Sequence, residues 1–244
     1  MHKSLTDYKA LTFDCYGTLI DWESGIWDAG QPLLMMNGCS DVTRADFLKA
    51  FSTAETAQEK ATPDMHYPCL LSQVHRAIAD ALDLSTNAEL DQAFGASVPH
   101  WPAFSDTATS LRYLKTRYKL VILSNVNRDG FAASNRKLGV EFDAIYTAQD
   151  IGSYKPNPTN FKYMLERLAT DHGILKEDIL HTAQSLHHDH VEAKAQGLAN
   201  AWIDRQGASQ GGDWGATAKM TSIPEFDFIY FSMAEMTDAV RASG

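Results

Sequence analysis

Cysteine is scarce: Cys15, Cys39 and Cys69 are odd in number and widely spaced, which excludes a disulfide framework and a zinc knuckle. They read as buried or idle thiols. No stretch approaches the roughly 18 uninterrupted apolar residues of a membrane span. The opening MHKSLTDYKALTFDC lacks a basic segment leading into an apolar run, so a cytoplasmic protein is expected. Basic residues are also few, with 21 Lys and Arg against 31 Asp and Glu, a formal net charge of -10. That balance argues against nucleic acid or an anionic membrane as partner, because neither polyanion gains from an acidic surface. A small anionic molecule remains open, since a few local cations or N–H groups outweigh the mean field. Internal repeats and low-complexity tracts are absent too.

Against these absences stand 244 residues of which 44% are hydrophobic, enough to bury a core in one large domain or two. Short apolar runs fit buried strands at 10–13, 119–123, 144–147, 179–182, 200–203 and 228–231. Helical spacing fills most of the gaps, at 106–117, 130–138, 157–169 and 190–196. Strand alternating with helix predicts an α/β fold with a parallel sheet core and helices on both faces. One interruption breaks the alternation: 22–102 contains helical stretches, including 44–60 and 70–82, and no convincing strand. This predicts a helical insertion after the first strand, with a core of 1–21 and 103–244. Gly25 or Gly30 marks one boundary and Pro99 to Pro102 the other. The glycine-rich 206–215 reads as a surface loop. A homodimer is the expected oligomer on general frequency among soluble proteins.

Ligands of a parallel sheet bind beyond the carboxyl ends of its strands, so polar residues there are the candidates for chemistry. The first run ends in Asp14-Cys15-Tyr16-Gly17-Thr18, a carboxylate followed by a glycine turn and a hydroxyl, which suits a nucleophile beside an anion cradle. The second ends in Ser124-Asn125, which can donate to an anion without adding charge. Lys155-Pro156 follows the third, and Gln184-Ser185 through Asp189 the fourth. Taken singly, each fits equally a turn, a helix cap or a solvated loop. Together they fall on one rim.

In order and over nearly the whole chain, Asp14-x-Tyr16-Gly17-Thr18, Ser124-Asn125, Lys155-Pro156 and the 184–189 segment resemble the four motifs of the haloacid dehalogenase superfamily. The resemblance implies a Rossmann-like core, and makes the insertion at 22–102 a helical cap that closes over the site. Phosphatases of that superfamily have a second Asp where this chain has Tyr16, and an acid where it has Gln184. Mg²⁺ prefers six oxygens, mostly anionic or water, and Asp14, Asp189 and neutral Gln184 are a poor set, so no metal or other cofactor is expected. The match is closer to the 2-haloacid dehalogenases, in which the nucleophile attacks the halogen-bearing carbon and water then hydrolyses the ester. Halide needs no proton to leave, so Tyr16 fits.

By resemblance, Lys155 pairs with Asp14, and Thr18, Ser124 and Asn125 hydrogen-bond the nucleophile or the substrate carboxylate. Asp189 orients or deprotonates the hydrolytic water. Tyr16, Gln184, Ser185 and Cys15 contact substrate. His187, His188 and His190 cannot all face one ion and read as surface or rim residues. The dehalogenases receive the halide with a cap arginine, for which Arg44, Arg76, Lys49, His66 and His75 are candidates. Trp22, Trp27, Phe51, Tyr67 and Trp101 would form the apolar wall. Two other readings stay open: an Mg²⁺-dependent phosphatase of the same superfamily, and a weakly catalytic member that binds an anion or a partner.

Overall fold

The computed structural model describes residues 3–212 and 223–243. Six strands form one sheet: β1 (Ala10–Phe13), β2 (Lys119–Ser124), β3 (Ala144–Thr147), β4 (Ile179–Ala183), β5 (Ala199–Ile203) and β6 (Phe228–Tyr230). Their order is β3-β2-β1-β4-β5-β6, and every neighbouring pair is parallel. Each strand lies within a residue or two of its apolar run, because strands buried on both faces have little reason to alternate.

The helices are α1 (Trp22–Met36), α2 (Arg44–Ala61), α3 (Tyr67–Ala81), α4 (Ala88–Gly95), α5 (Thr107–Leu114), α6 (Arg128–Leu138), α7 (Ala148–Ile151), α8 (Pro158–His172), α9 (Val191–Ala195) and α10 (Met233–Ser243). Side chains alternate across the sheet. Leu11, Phe13, Leu120, Ile122 and Ile203 join a core with α5, α6 and α10, while Ala10, Val121, Leu123 and Ile179 join another with α8 and α9. No described helix is long and apolar enough to cross a membrane. Of the glycine-rich stretch, 206–212 holds a short turn at Ala208–Gln210, and 213–215 lie outside the described residues.

Helices α1–α4 all fall between β1 and β2 and form the cap. Asp21 caps α1 by accepting from the Ser24 N–H at 3.1 Å, and Thr43 caps α2 by accepting from that of Asp46 at 3.2 Å. Gly25 and Gly30, expected as boundary marks, instead lie inside α1. They admit rings: a Cβ on Gly25 would lie 2.3 Å from Trp101 Cγ, and one on Gly30 would lie 2.2 Å from Phe47 Cζ. Gly25→Ala is therefore expected to destabilise the protein, because overpacking costs about 1–3 kcal/mol and outweighs a helix-propensity gain of about 1 kcal/mol. A lowered urea midpoint at unchanged slope would show it, and a raised midpoint would mean that Trp101 yields freely.

Candidate active site

The strand order reverses at β1, which lies between β2 and β4, and the crevice of a parallel sheet opens at such a point. Asp14 follows β1 directly and its N–H donates to the Thr182 carbonyl at 3.2 Å, so this residue is fixed to the sheet. The chain then turns sharply at Gly17, whose φ of +98° disfavours any side chain. A Cβ there would also lie 3.1 Å from Gln184 Oε1. Gly17 N–H goes to the Ile20 carbonyl at 2.8 Å, so this amide belongs to the turn and not to an anion cradle.

Lys155 arrives from the loop between α7 and α8. Asn125 clamps its backbone at both ends, accepting from the Lys155 N–H at 2.7 Å and donating to its carbonyl at 3.1 Å. The ammonium bridges two carboxylates, at 2.9 Å from Asp14 Oδ1 and 2.7 Å from Asp189 Oδ1. Thr18 donates to Asp14 Oδ2 at 2.8 Å and accepts from the Gln184 N–H at 2.9 Å, tying the first motif to the last. Asp189 lies on a π-helical turn, Leu186–His190, begun by Ser185, which accepts from the His188 N–H at 3.1 Å. Such turns recur where a helix must aim a functional group.

Burial pushes the Asp14 carboxyl up, and the Lys155 ammonium offsets only part of that. Asp189 is also pushed up by burial, but Lys155 and His181 together outweigh it and hold the carboxyl well below the ordinary range. Lys155 itself is lowered by burial and raised more by its two acids, so it stays charged. The two carboxylates thus divide: Asp14 is the more basic, hence the better nucleophile, and Asp189 is the fixed counter-charge. His181 is a further participant, with Nε2 at 3.1 Å from Asp189 and Nδ1 at 2.9 Å from Thr12 Oγ1. An ionised carboxylate only accepts, so Nε2 bears a proton and donates it to Asp189.

Above this group lies a cavity of about 100 Å³, lined by Asp14, Tyr16, Asn125, Lys155, Gln184, Ser185 and Asp189 from the motifs. A space of that order holds a small molecule rather than a polymer. Trp22, Phe51, Tyr67 and Trp101 form its wall as expected, whereas Trp27 packs on Phe47 outside it. Tyr16 offers its ring, because its hydroxyl is engaged with Ser134 Oγ at 2.9 Å. Three expectations are corrected. Cys15 is fully buried in the core and lies outside the cavity lining, so it is not placed to contact a substrate. Ser124 lies at the end of β2 outside the lining, its hydroxyl buried without a partner among the described residues. His190 is a core residue, held by the Ala183 carbonyl at 2.9 Å and Asn200 at 3.1 Å, while His187 and His188 do reach the rim.

The candidate halide cations all lie elsewhere. Arg76 and His75 are engaged with Asp91, Arg44 donates to Ser24, and Lys49 and His66 are exposed outside the cavity. In their place the cap supplies two acids, Glu55 and Glu59 on α2. Tyr67 O–H donates to Glu55 at 2.5 Å, and the Asn125 amide to Glu59 at 3.0 Å. Burial raises the Glu55 carboxyl to about 7, and burial plus the neighbouring Glu55 raises Glu59 well above the carboxylate range.

The residues do not fit Mg²⁺. The Lys155 ammonium lies between Asp14 Oδ1 and Asp189 Oδ1, and Gln184 brings no charge, so the set is poor in the free anionic oxygens that Mg²⁺ prefers. Among the described residues no group of three or more His, Cys, Asp or Glu is arranged to hold a metal.

The sequence profile of the haloacid dehalogenase-like hydrolases matches residues 8–182. The chain belongs to this family. Similar solved structures include the L-2-haloacid dehalogenase from Xanthobacter autotrophicus, with a TM-score of 0.78 at 19% identity over 97% of this chain and 100% of that one. The defluorinating L-2-haloacid dehalogenase Rha0230 has a TM-score of 0.78 at 19% identity, over 98% of each chain. YfnB from Bacillus subtilis, a HAD-hydrolase solved bound to magnesium, has a TM-score of 0.74 at 18% identity, over 96% of this chain and 99% of that one. A search of curated proteins gave no match. At these identities the likeness is one of fold, and the chemistry of this hydrolase has to be argued from its own pocket.

Proposed function

We propose that this hydrolase removes halogen from short 2-haloacids without a metal, through an ester on Asp14. The observation that supports it most is the buried Lys155 bridging Asp14 and Asp189, in a motif whose position 16 offers a ring and no second acid. Asp14 attacks the halogen-bearing carbon, its oxygen forming a bond as the carbon–halogen pair leaves with the halide. Water then adds to the Asp14 carboxyl carbon, freeing a 2-hydroxy acid of inverted configuration and releasing a proton. Asp189 orients that water through Oδ2, which is buried and has no partner among the described residues. Held so far below the ordinary range, Asp189 is a poor base, so orientation is its part. Gln184 and Ser185 supply polar contacts for the substrate carboxylate.

A halide-release screen over haloacetates and both 2-chloropropionate enantiomers, run in EDTA, tests this. Release is expected undiminished by the chelator. No release, together with Mg²⁺-dependent phosphate release from small phosphoesters, would replace the proposal with a phosphatase.

A further inference from the structure

The dehalogenation reading leaves the departing halide without a receiver. Among the described residues the cavity lining contains one lysine and no arginine, and that Lys155 ammonium is committed to Asp14 and Asp189 at 2.9 and 2.7 Å. The cap contributes instead Phe51, Glu55 and Glu59, four residues apart in turn, so all three lie on one stripe of α2 and face the cavity that holds Asp14. Each acid has its Oε1 engaged by a neutral donor, Tyr67 O–H or the Asn125 amide. Among the described residues neither forms an ion pair with a lysine or arginine: Lys155 acts on Glu59 only at longer range, and the basic group beside Glu59 Oε2 is His188 Nε2 at 3.7 Å. Glu59 is buried and Glu55 half-buried one helical turn away, so Glu55 adds to the cost of ionising Glu59 beyond what Asn125 and Lys155 offset, and the arrangement relaxes when one carries a proton. The oxygen left for that proton on Glu59 is Oε2.

We propose that Glu59, as a neutral carboxyl, is the hydrogen-bond donor that receives the departing halide, with Glu55 keeping the proton on it. The proposal rests on the dehalogenation reading above. As the Asp14 oxygen bonds to carbon, the carbon–halogen pair passes to the halogen, and the resulting anion is held by the Glu59 O–H. No proton need transfer, and the halide leaves as such. A guanidinium would attract any halide through its full positive charge, which a neutral carboxyl lacks. A carboxyl O–H discriminates, because a hydrogen bond strengthens with the basicity of its acceptor, and fluoride is the most basic halide and the poorest leaving group. The structure thus assigns to this cap a bias towards carbon–fluorine substrates.

The groups facing Glu59 are Glu55 on its own helix, Tyr67 from α3, Tyr154 and Lys155 from the loop before α8, and Asp14, His188 and Asp189. Tyr67 and Tyr154 are raised and stay neutral, Lys155 is raised and stays charged, and His188, lowered by burial to about 4, is neutral at working pH. Glu55, raised to about 7, and Glu59, raised well above the carboxylate range, are left to titrate. Glu59 is raised, so it donates at low pH and loses that capacity as pH rises.

The test measures kcat/KM for release of fluoride, chloride and bromide from the three haloacetates, with the full chain and its Glu59→Met and Glu59→Gln variants. Glu59→Met is expected to lower fluoride release by roughly 10- to 100-fold, the worth of one hydrogen bond to an anion, and bromide release by much less. Glu59→Gln keeps an N–H donor at the same place, so it retains most of the rate and loses the decline at high pH. Equal losses for all three halides in Glu59→Met, or an alkaline decline unchanged in Glu59→Gln, would overturn the assignment and return the role to a donor such as the Trp22 indole. Should Glu59→Met fail to fold, the pH profile of Glu59→Gln decides alone. A wild-type chain that releases no halide from any haloacetate defeats the dehalogenation reading itself, and this inference with it.

Discussion

Asp14→Asn is expected to abolish halide release, by about 10⁴-fold or more, in a protein that folds normally. The size follows from covalent catalysis, in which removing a nucleophile has cost on the order of 10⁶ in rate elsewhere. No other carboxylate can substitute: Asp189 is held by both Lys155 and His181, and Glu55 and Glu59 are on the cap. The fold is spared because an asparagine oxygen still accepts from Lys155, now at 2.9 Å from Asp14, and the Lys155–Asp189 pair at 2.7 Å remains. One buried charge fewer leaves that pair neutral overall. Initial rates by halide electrode and a thermal melt check both halves. Acid quenching of the wild-type chain during turnover of a haloacetate should further yield a protein heavier by one carboxymethyl ester, absent from Asp14→Asn. A variant that kept its rate within tenfold would move the nucleophile elsewhere.

Strand positions were legible because parallel strands buried on both faces concentrate apolar residues, and the polar residues that end them stand out: Asp14 after Phe13, Ser124 after Leu123, Gln184 after Ala183. The same pattern hid His181. A histidine inside the apolar run 179–182 looks like an imperfection, although it holds Asp189 and so the whole charge relay down to Thr12. Glu55 and Glu59 were illegible for a different reason. Charges in a helix read as its solvated face, and only the spacing from Phe51, one turn at a time, shows that they continue the buried stripe. Arg205 carried no signal at all. It lies beyond β5, yet donates to the Thr18 carbonyl at 2.9 and 2.7 Å and stacks on Phe104, fixing the loop that follows Asp14 from the far side of the chain. Local pattern identifies what ends a strand; it does not reveal which distant side chain reaches that end.

Lys155→Met, which keeps the stem and deletes the ammonium, is expected to stop turnover and to destabilise the fold by about 3–5 kcal/mol near pH 8, the cost of breaking a buried ion pair from one side. Asp14 and Asp189 would then share a buried site with no countercharge. Burial already raises Asp14 with Lys155 in place. Without the lysine the folded-state value of Asp14, already raised, climbs further above the unfolded value of about 3.9, while Asp189 keeps only His181 to hold it down. A carboxyl raised in this way keeps, when folded, a proton that the unfolded chain gives up, so stability falls as pH climbs from about 4 to the folded value. The urea midpoint of Lys155→Met should therefore be lower at pH 8 than at pH 5. Activity cannot be rescued at the lower pH, because the proton that relieves the fold also neutralises the nucleophile. Stability and catalysis respond to pH in opposite senses only if one ammonium serves both carboxylates. A midpoint equal to that of the wild type at pH 8 would mean that the two acids are hydrated independently of Lys155, and the ester mechanism would lose the group that keeps Asp14 ionised.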